Sequence, residues 1–368
     1  MKKKYLTKQF VWMSLLLIAG GLSSFLFVNI DHLSKVNEKK GFLYHDSHFH
    51  LTNYIQEGIS VQDYLKLMGD KVGRSTLFGI PLQQQWSYRV NGNNAPTYYL
   101  DTDAPLYYYS FTDAYIAMQY KSLKPEDQNR FDPMITGFNP TDMYAAAHIR
   151  RVLQTFPGVF TGIGEFSIHK EFVSSKISGD VASLTDPALD SILSFAEETG
   201  LVVLIHNDID NPFPKAGKTN YLEEVKTLFR RHPKATIIWA HIGLGRVVHP
   251  VKNQAALIEE IILDPTLKHV SFDISWDEVA KYFVETPSSL TVSSELLNTY
   301  PNRFLFGTDV VAPKSEEQYY SVYNQYEPLW KLLTPNTKEL ITKGNYERIF
   351  DQGRIHVRAW EQKNMVKK

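Results

Sequence analysis

The chain has 368 residues, 43% of them hydrophobic and 21% charged, with a formal net charge of -1 and no cysteine. That length suits one large α/β barrel or two ordinary domains, and the near-neutral balance gives no basic footprint for nucleic acid. Without cysteine, disulfides, thiolate metal ligands and a cysteine nucleophile are all excluded.

At the N-terminus, Lys2, Lys3, Lys4 and Lys8 precede an uncharged run from Phe10 to Ile30. A basic flank followed by an apolar stretch is the pattern of an export segment. At about 20 residues the stretch is also long enough to cross a bilayer as a helix. Ala19-Gly20-Gly21 offers small residues for cleavage, so residues 1–30 are expected to be a signal peptide or a retained membrane anchor. The lysines favour that end staying in the cytoplasm. The remainder is then expected in the periplasm, or anchored and facing outward. Residues 31–40 are polar and read as a linker.

From there strand-like and helix-like stretches alternate, which argues for parallel α/β architecture. The expected strands are 43–51, 76–82, 132–138, 160–168, 201–207, 236–242, 269–274 and 303–310. Eight such runs predict a closed (β/α)8 barrel of the TIM type over residues 41–352, with a tail at 353–368. A helix is expected after Asp186-Pro187, which supply a cap and a first-turn proline, and Gly200 ends it. Others are expected over 220–231, 253–263 and 293–299. Residues 86–130 are too long and too aromatic for an ordinary barrel loop. They read as an insertion after the second strand, serving as a lid or substrate wall, because loops at the C-terminal mouth build the site.

The chemistry is carried by strand ends. In Asp46-Ser47-His48-Phe49-His50, alternation along a strand sends His48 and His50 to the same face, about 7 Å apart, a spacing suited to metal ligation. Three later apolar runs each end in an ionisable or metal-binding residue where the chain emerges: Leu201–Ile205 in His206, Thr236–Ala240 in His241, and Arg303–Thr308 in Asp309. The fourth run carries Glu165. Asp273 ends the seventh, and Arg246 follows His241 where a cation suits a substrate carboxylate. Asp46 and Asp208 are expected to accept hydrogen bonds from the imidazoles, whereas His169 and Lys170 are expected in a solvated loop.

These motifs, with Gly162-Ile163-Gly164-Glu165, Ala240-His241-Ile242-Gly243 and Gly344-Asn345-Tyr346-Glu347-Arg348-Ile349-Phe350, resemble the amidohydrolase superfamily. The likeness is to the amidohydrolase-related branch of aminocarboxymuconate-semialdehyde decarboxylases and lactone hydrolases. The resemblance implies metal ligation by His48, His50, His206 and Asp309. It gives His241 a second metal position or a contact to substrate and water. Glu165 stands where some binuclear members carry a carboxylated lysine, which excludes that bridge and leaves a glutamate bridge open. Three imidazoles and a carboxylate suit zinc, with manganese or iron as alternatives, as one ion or two.

The expected activity is metal-dependent hydrolysis, with metal-bound hydroxide attacking a lactone, ester or amide carbonyl of a small molecule. Asp309, His241 and Glu165 would be catalytic, and Arg246 and Asp273 would contact substrate. The alternatives are a non-oxidative decarboxylase, a TatD-like nuclease, and a non-catalytic envelope protein that retains metal. No nucleic-acid partner is expected, any membrane contact would run through the N-terminal segment, and homodimerisation is left open.

Overall fold

The computed structural model describes residues 41–213 and 221–365. The export segment and the linker expected over 1–40 lie outside them. Among the described residues, no helix is long and apolar enough to cross a membrane.

Twelve strands form among the described residues. They are β1 (Tyr44–Asp46), β2 (Phe49–His50), β3 (Val72–Leu77), β4 (Leu82–Gln84), β5 (Leu106–Tyr108), β6 (Phe131–Ile135), β7 (Gly162–Ser167), β8 (Val202–His206), β9 (Thr236–Trp239), β10 (Val270–Asp273), β11 (Phe304–Leu305) and β12 (Val310–Val311). The main sheet runs β1-β3-β6-β7-β8-β9-β10-β11, with its neighbouring strands parallel. Its two ends meet. β12 pairs in parallel with β2, setting Val310 opposite Phe49 and Val311 opposite His50. Ser47 N donates to Phe306 O at 3.2 Å and Asp309 N to His48 O at 2.7 Å. The interrupted first stave (β1 and β2) thus pairs with the interrupted last one (β11 and β12), and the sheet closes as the expected barrel.

The seam is tight. A Cβ on Gly307 would lie 2.7 Å from the His48 Cβ and 2.8 Å from the His48 backbone nitrogen, so a residue without a side chain is needed there. Asp46 bolts the two staves: its Oδ1 accepts from Thr308 N at 2.8 Å and from His48 N at 3.1 Å, and its Oδ2 from Thr308 Oγ1 at 2.7 Å.

Helices cover the barrel much as the apolar spacing predicts. The helix Pro187–Thr199 starts from Asp186, whose side chain accepts from Ala188 N, and ends at Gly200 in the left-handed region with φ 76°. The helix Pro287–Thr299 begins six residues before the expected start, because Thr286 and Ser289 form a capping box ahead of Pro287. The closing helix Asn345–Asn364 runs on through most of the expected tail, burying Val357 and Trp360. The second stave, β3, lies earlier than 76–82 because Arg74 interrupts its apolar pattern. The apolar Phe78, Ile80 and Leu82 that suggested a strand instead pack around the mouth. Within 86–130, the helix Phe111–Lys121 belongs to the barrel wall, with Asp113 accepting from the backbone of Thr136 and Gly137 just after β6.

Away from the mouth, Asp132 on β6 is fully buried. It accepts from Arg74 at 2.7 Å, from Arg354 at 2.7 Å and from Tyr346 at 2.8 Å, tying two staves to the closing helix. Burial alone would raise its pKa, but the two guanidinium groups hold it down at about 2. Because the folded value is depressed, the stabilisation is present above the ordinary carboxylate pKa of 3.8 and is lost as pH falls through about 2. Asp132→Asn, which leaves two half-buried guanidinium groups short of a partner, is expected to cost roughly 3 kcal/mol in urea unfolding at neutral pH. The gap from wild type should narrow on acidification from pH 4 to pH 2.

Candidate metal centre

Five staves aim side chains at one point at the C-terminal mouth. His48 and His50 come from the first stave, Glu165 from β7, His206 from the end of β8, His241 from the turn after β9, and Asp309 from the break between β11 and β12. His50 Nε2 lies 3.0 Å from Asp309 Oδ1 and 3.4 Å from Glu165 Oε2. His48 Nε2 lies 3.2 Å from Asp309 Oδ1 and 3.7 Å from Glu165 Oε2. His241 Nε2 stands 3.7 Å from Glu165 and 3.8 Å from Asp309, and the His206 Nδ1 is 2.6 Å from Glu165 Oε1. The donor atoms fall into three groups, each within 4.8 Å of one another: His48, His50 and Glu165; His48, His241 and Asp309; Glu165, His206 and His241.

The backbone at the mouth takes conformations that a sequence does not advertise. Glu171, His241, Ile242, Trp276 and Asp309 all have positive φ, between 42° and 82°, a region costly for residues other than glycine. At His241 and Asp309 this turns the side chain inward just past the end of a strand. Glu165 reaches the centre through Gly164, where φ is 121° and an added Cβ would meet the Leu204 carbonyl oxygen at 2.1 Å.

The donor chemistry fits a divalent cation. Nε2 of His48 and of His241 are buried with no hydrogen-bond partner among the described residues, and both face the two carboxylates. The opposite nitrogens are engaged: His48 Nδ1 donates to Asp273 Oδ2 at 2.6 Å, and Ser275 Oγ lies 3.0 Å from His241 Nδ1. A ring that donates through Nδ1 presents the Nε2 lone pair, the usual arrangement for a metal-ligating histidine. Burial disfavours a charged His48, yet the Asp309 and Asp273 carboxylates carry its pKa well above the ordinary value. An environment that so favours a proton on Nε2 favours any cation there. Burial holds the His241 pKa low. Asp309 resists burial and stays well below the usual carboxylate range because His48, His50 and His241 surround it.

Several residues stand where sequence reasoning did not put them. Asp273, expected against substrate, is fully buried and spends its carboxylate on His48 Nδ1 and on the backbone nitrogen of Ser275. The turn after β10 bends it inward, so it orients an imidazole. Asp46, expected to accept from an imidazole ring, bolts the barrel seam instead. Asp208 does take the expected part, its Oδ1 lying 2.9 Å from His206 Nε2. Lys170, expected in solvent, is 9% exposed and lies 3.2 Å from Glu165; burial lowers its pKa, but Glu165 reverses the effect and leaves it raised. His169 stacks on Tyr221 with ring centroids 4.0 Å apart.

A family model described as amidohydrolase matches residues 126–352, more than half of the 368 residues. The chain belongs to the amidohydrolase family. This amidohydrolase also resembles solved structures over 84% of its length. One, described as a 2-pyrone-4,6-dicarboxylic acid hydrolase from Pseudomonas putida, is 13% identical and covered over 98% of its chain, with a TM-score of 0.52. The dihydroorotase of Campylobacter jejuni is 14% identical and 83% covered, with a TM-score of 0.51. An amidohydrolase from Burkholderia multivorans with bound zinc is 14% identical and 99% covered, also at 0.51. At these identities the likeness is one of fold. A search of the curated proteins found no match.

Beside the centre of this amidohydrolase lies a cavity of about 150 Å³, walled by Tyr54, Tyr98, Tyr99, Lys170, Arg246 and Trp276 among others. Tyr98 and Tyr99 come from the aromatic insertion, so part of it lines the site, while Trp86, Tyr88 and Tyr107 face solvent. Arg246, expected to contact substrate, stands on the wall, where it donates to the Tyr98 hydroxyl at 2.7 Å and pairs with Glu278 at 3.1 Å.

Glu171, which sequence reasoning missed, joins these pieces. It accepts from the Tyr99 hydroxyl at 2.6 Å and from Val247 N at 2.8 Å, and its own backbone nitrogen donates to Asp208 at 2.6 Å. The insertion, two mouth loops and the Asp208 that holds His206 thus meet at one side chain. Tyr99→Phe removes one donor from a buried carboxylate and is expected to destabilise the protein by about 1–3 kcal/mol in urea unfolding. The exposed control Tyr107→Phe should change stability by less than about 0.5 kcal/mol.

Proposed function

We propose that this amidohydrolase is a metal-dependent hydrolase acting on a lactone, ester or amide carbonyl of a small molecule. The observation that carries the reading is the pair of partnerless Nε2 atoms, on His48 and His241, converging with Asp309 and Glu165 at the side of a cavity. His48, His50 and Asp309 would hold a cation on one side of the centre, and Glu165 with His206 offers donors on the other, with His241 facing both carboxylates. Bound there, a divalent metal supplies Lewis acidity toward a carbonyl oxygen and lowers the pKa of water. Zinc is the ion proposed for these imidazole and carboxylate donors, and the Burkholderia protein of the same fold carries it.

The chain's own groups do the rest. Asp309, kept ionised by the imidazoles around it, takes the proton from the attacking water and returns it to the leaving group. His241, braced through Nδ1 by Ser275, turns the Nε2 lone pair toward the attacking water and orients it. Tyr54, Tyr98 and Trp276 form an apolar wall against the ring or chain of the substrate and exclude water from it. The lysine-flanked apolar stretch over residues 1–30 supports placing this activity outside the cytoplasm.

A second reading keeps the centre and changes the reaction to non-oxidative decarboxylation. It is favoured by Lys170 and Arg246, two cations on the cavity wall that suit an acid substrate. Product analysis separates the two, carbon dioxide for decarboxylation against a ring-opened or cleaved acid for hydrolysis.

With a panel of small lactones and aryl esters, chelation is expected to abolish turnover and zinc or manganese to restore it. A metal-free protein that keeps full activity overturns the reading. Asp309→Asn should lower kcat by about 10²–10⁴ in a folded protein. Asp273→Asn, which removes the acceptor from His48 Nδ1, should weaken zinc affinity by roughly 10–100-fold, measured by competition with a chromophoric chelator.

A further inference from the structure

We infer that the centre holds a single divalent cation, because the ammonium group of Lys170 stands in the place of a second. This rests on the metal-dependent reading above and concerns how many ions the donors take. The six donor side chains are enough for two ions sharing Glu165, so their number alone does not decide it. What decides it is which donor atoms are already spent.

The two halves of the centre differ. Next to Asp309, the Nε2 atoms of His48 and His241 have no hydrogen-bond partner among the described residues, and among these residues the ion pairs of the Asp309 carboxylate are with imidazoles. The Glu165 carboxylate, which His241 Nε2 also faces at 3.7 Å, is by contrast already taken by protein donors. Lys170 Nζ lies 3.2 Å from Oε1 and 3.4 Å from Oε2 of Glu165, so one ammonium faces both oxygens. His206 Nδ1 takes Oε1 as well, at 2.6 Å, and its Nε2 is engaged by Asp208 at 2.9 Å. Neither nitrogen of His206 is left over, whereas His48, His50 and His241 each have one nitrogen without a hydrogen-bond partner among the described residues.

Lys170 is also not free to leave. It is 9% exposed and lies over the Trp276 ring, 5.9 Å from its centroid. Its neighbour Glu171 is fixed by Tyr99, Val247 and Asp208. A divalent ion bridging to Glu165 from that side would face a buried positive charge on the same carboxylate. Two like charges in one low-dielectric site disfavour each other strongly. One ion held by His48, His50 and Asp309, with His241 facing it, balances the second carboxylate with an amine instead.

The test is metal counting on the full chain, stripped by chelation and titrated with Mn²⁺ alone, read by elemental analysis and by electron paramagnetic resonance. Wild type is expected to take one ion per chain with an uncoupled manganese spectrum. Any second ion should bind roughly 100-fold more weakly or worse, mid-range for the one to three pKa units that a single neighbouring charge produces. Lys170→Gln should admit a second ion and give a spin-coupled spectrum, and Lys170→Arg should keep the count at one. Two ions of comparable affinity in wild type overturn the inference and leave the metal-dependent reading standing, whatever the variants do. A folded Lys170→Gln protein that still takes one ion overturns the part given to Lys170. No ion in wild type sinks the metal-dependent reading itself, and the inference with it.

Discussion

The structure depends on closure of one seam. A barrel of eight parallel staves is complete only when the last strand finds the first, and here that pairing is bolted by a carboxylate with no solvent exposure. Asp46 accepts from the backbone nitrogen and the hydroxyl of Thr308 across the join and from His48 N on its own stave, and the Tyr319 hydroxyl donates to it at 3.1 Å. Those bonds set the register that places His48 and His50 beside Asp309. Shifting either stave by one residue would turn its side chains to the opposite face and disperse the centre. Architecture and chemistry share the same few hydrogen bonds.

Buried charge is the second theme. The centre gathers two carboxylates and four imidazoles in a buried place, a combination that is costly unless each charge is met by an opposite one. Around it the answering groups are in place: Asp273 and Asp208 hold rings, and Lys170 holds Glu165. Near the start of β6 the same problem is solved with protein groups alone, Asp132 being matched by Arg74 and Arg354. The contrast is instructive. At Asp132 every polar atom has a protein partner, whereas at the mouth specific nitrogens are left over, and that surplus is what marks a place for a ligand.

Much of this was legible in the chain. His-x-His on a strand, and apolar runs ending in His206, His241 and Asp309, are patterns with a direct geometric meaning, and the staves followed from the alternation of strand and helix. The parts that were not legible share a cause. Asp46 and Asp273 look in sequence like any acid at a strand end, and only the path of the backbone after them decides whether they meet a ring, a substrate or an amide. Lys170 and Glu171 lie beyond the end of β7, where positive φ at Glu171 turns the chain back inward. A polar loop that reads as solvated is thereby buried. The shift of β3 arose differently, from Arg74, a charge inside a stave that makes sense only once Asp132 is seen beside it.

The bolt joins residues 262 positions apart, and the donors of the centre are spread over nearly the same span. A ribosome-bound chain that still lacks its last stave therefore has no Asp309 to offer and no fixed spacing between the first two histidines. On the metal-dependent reading, loading with a cation becomes a late event of maturation, after the last stave has joined the first, and the ion acquired is the one available in whichever compartment the barrel finishes folding.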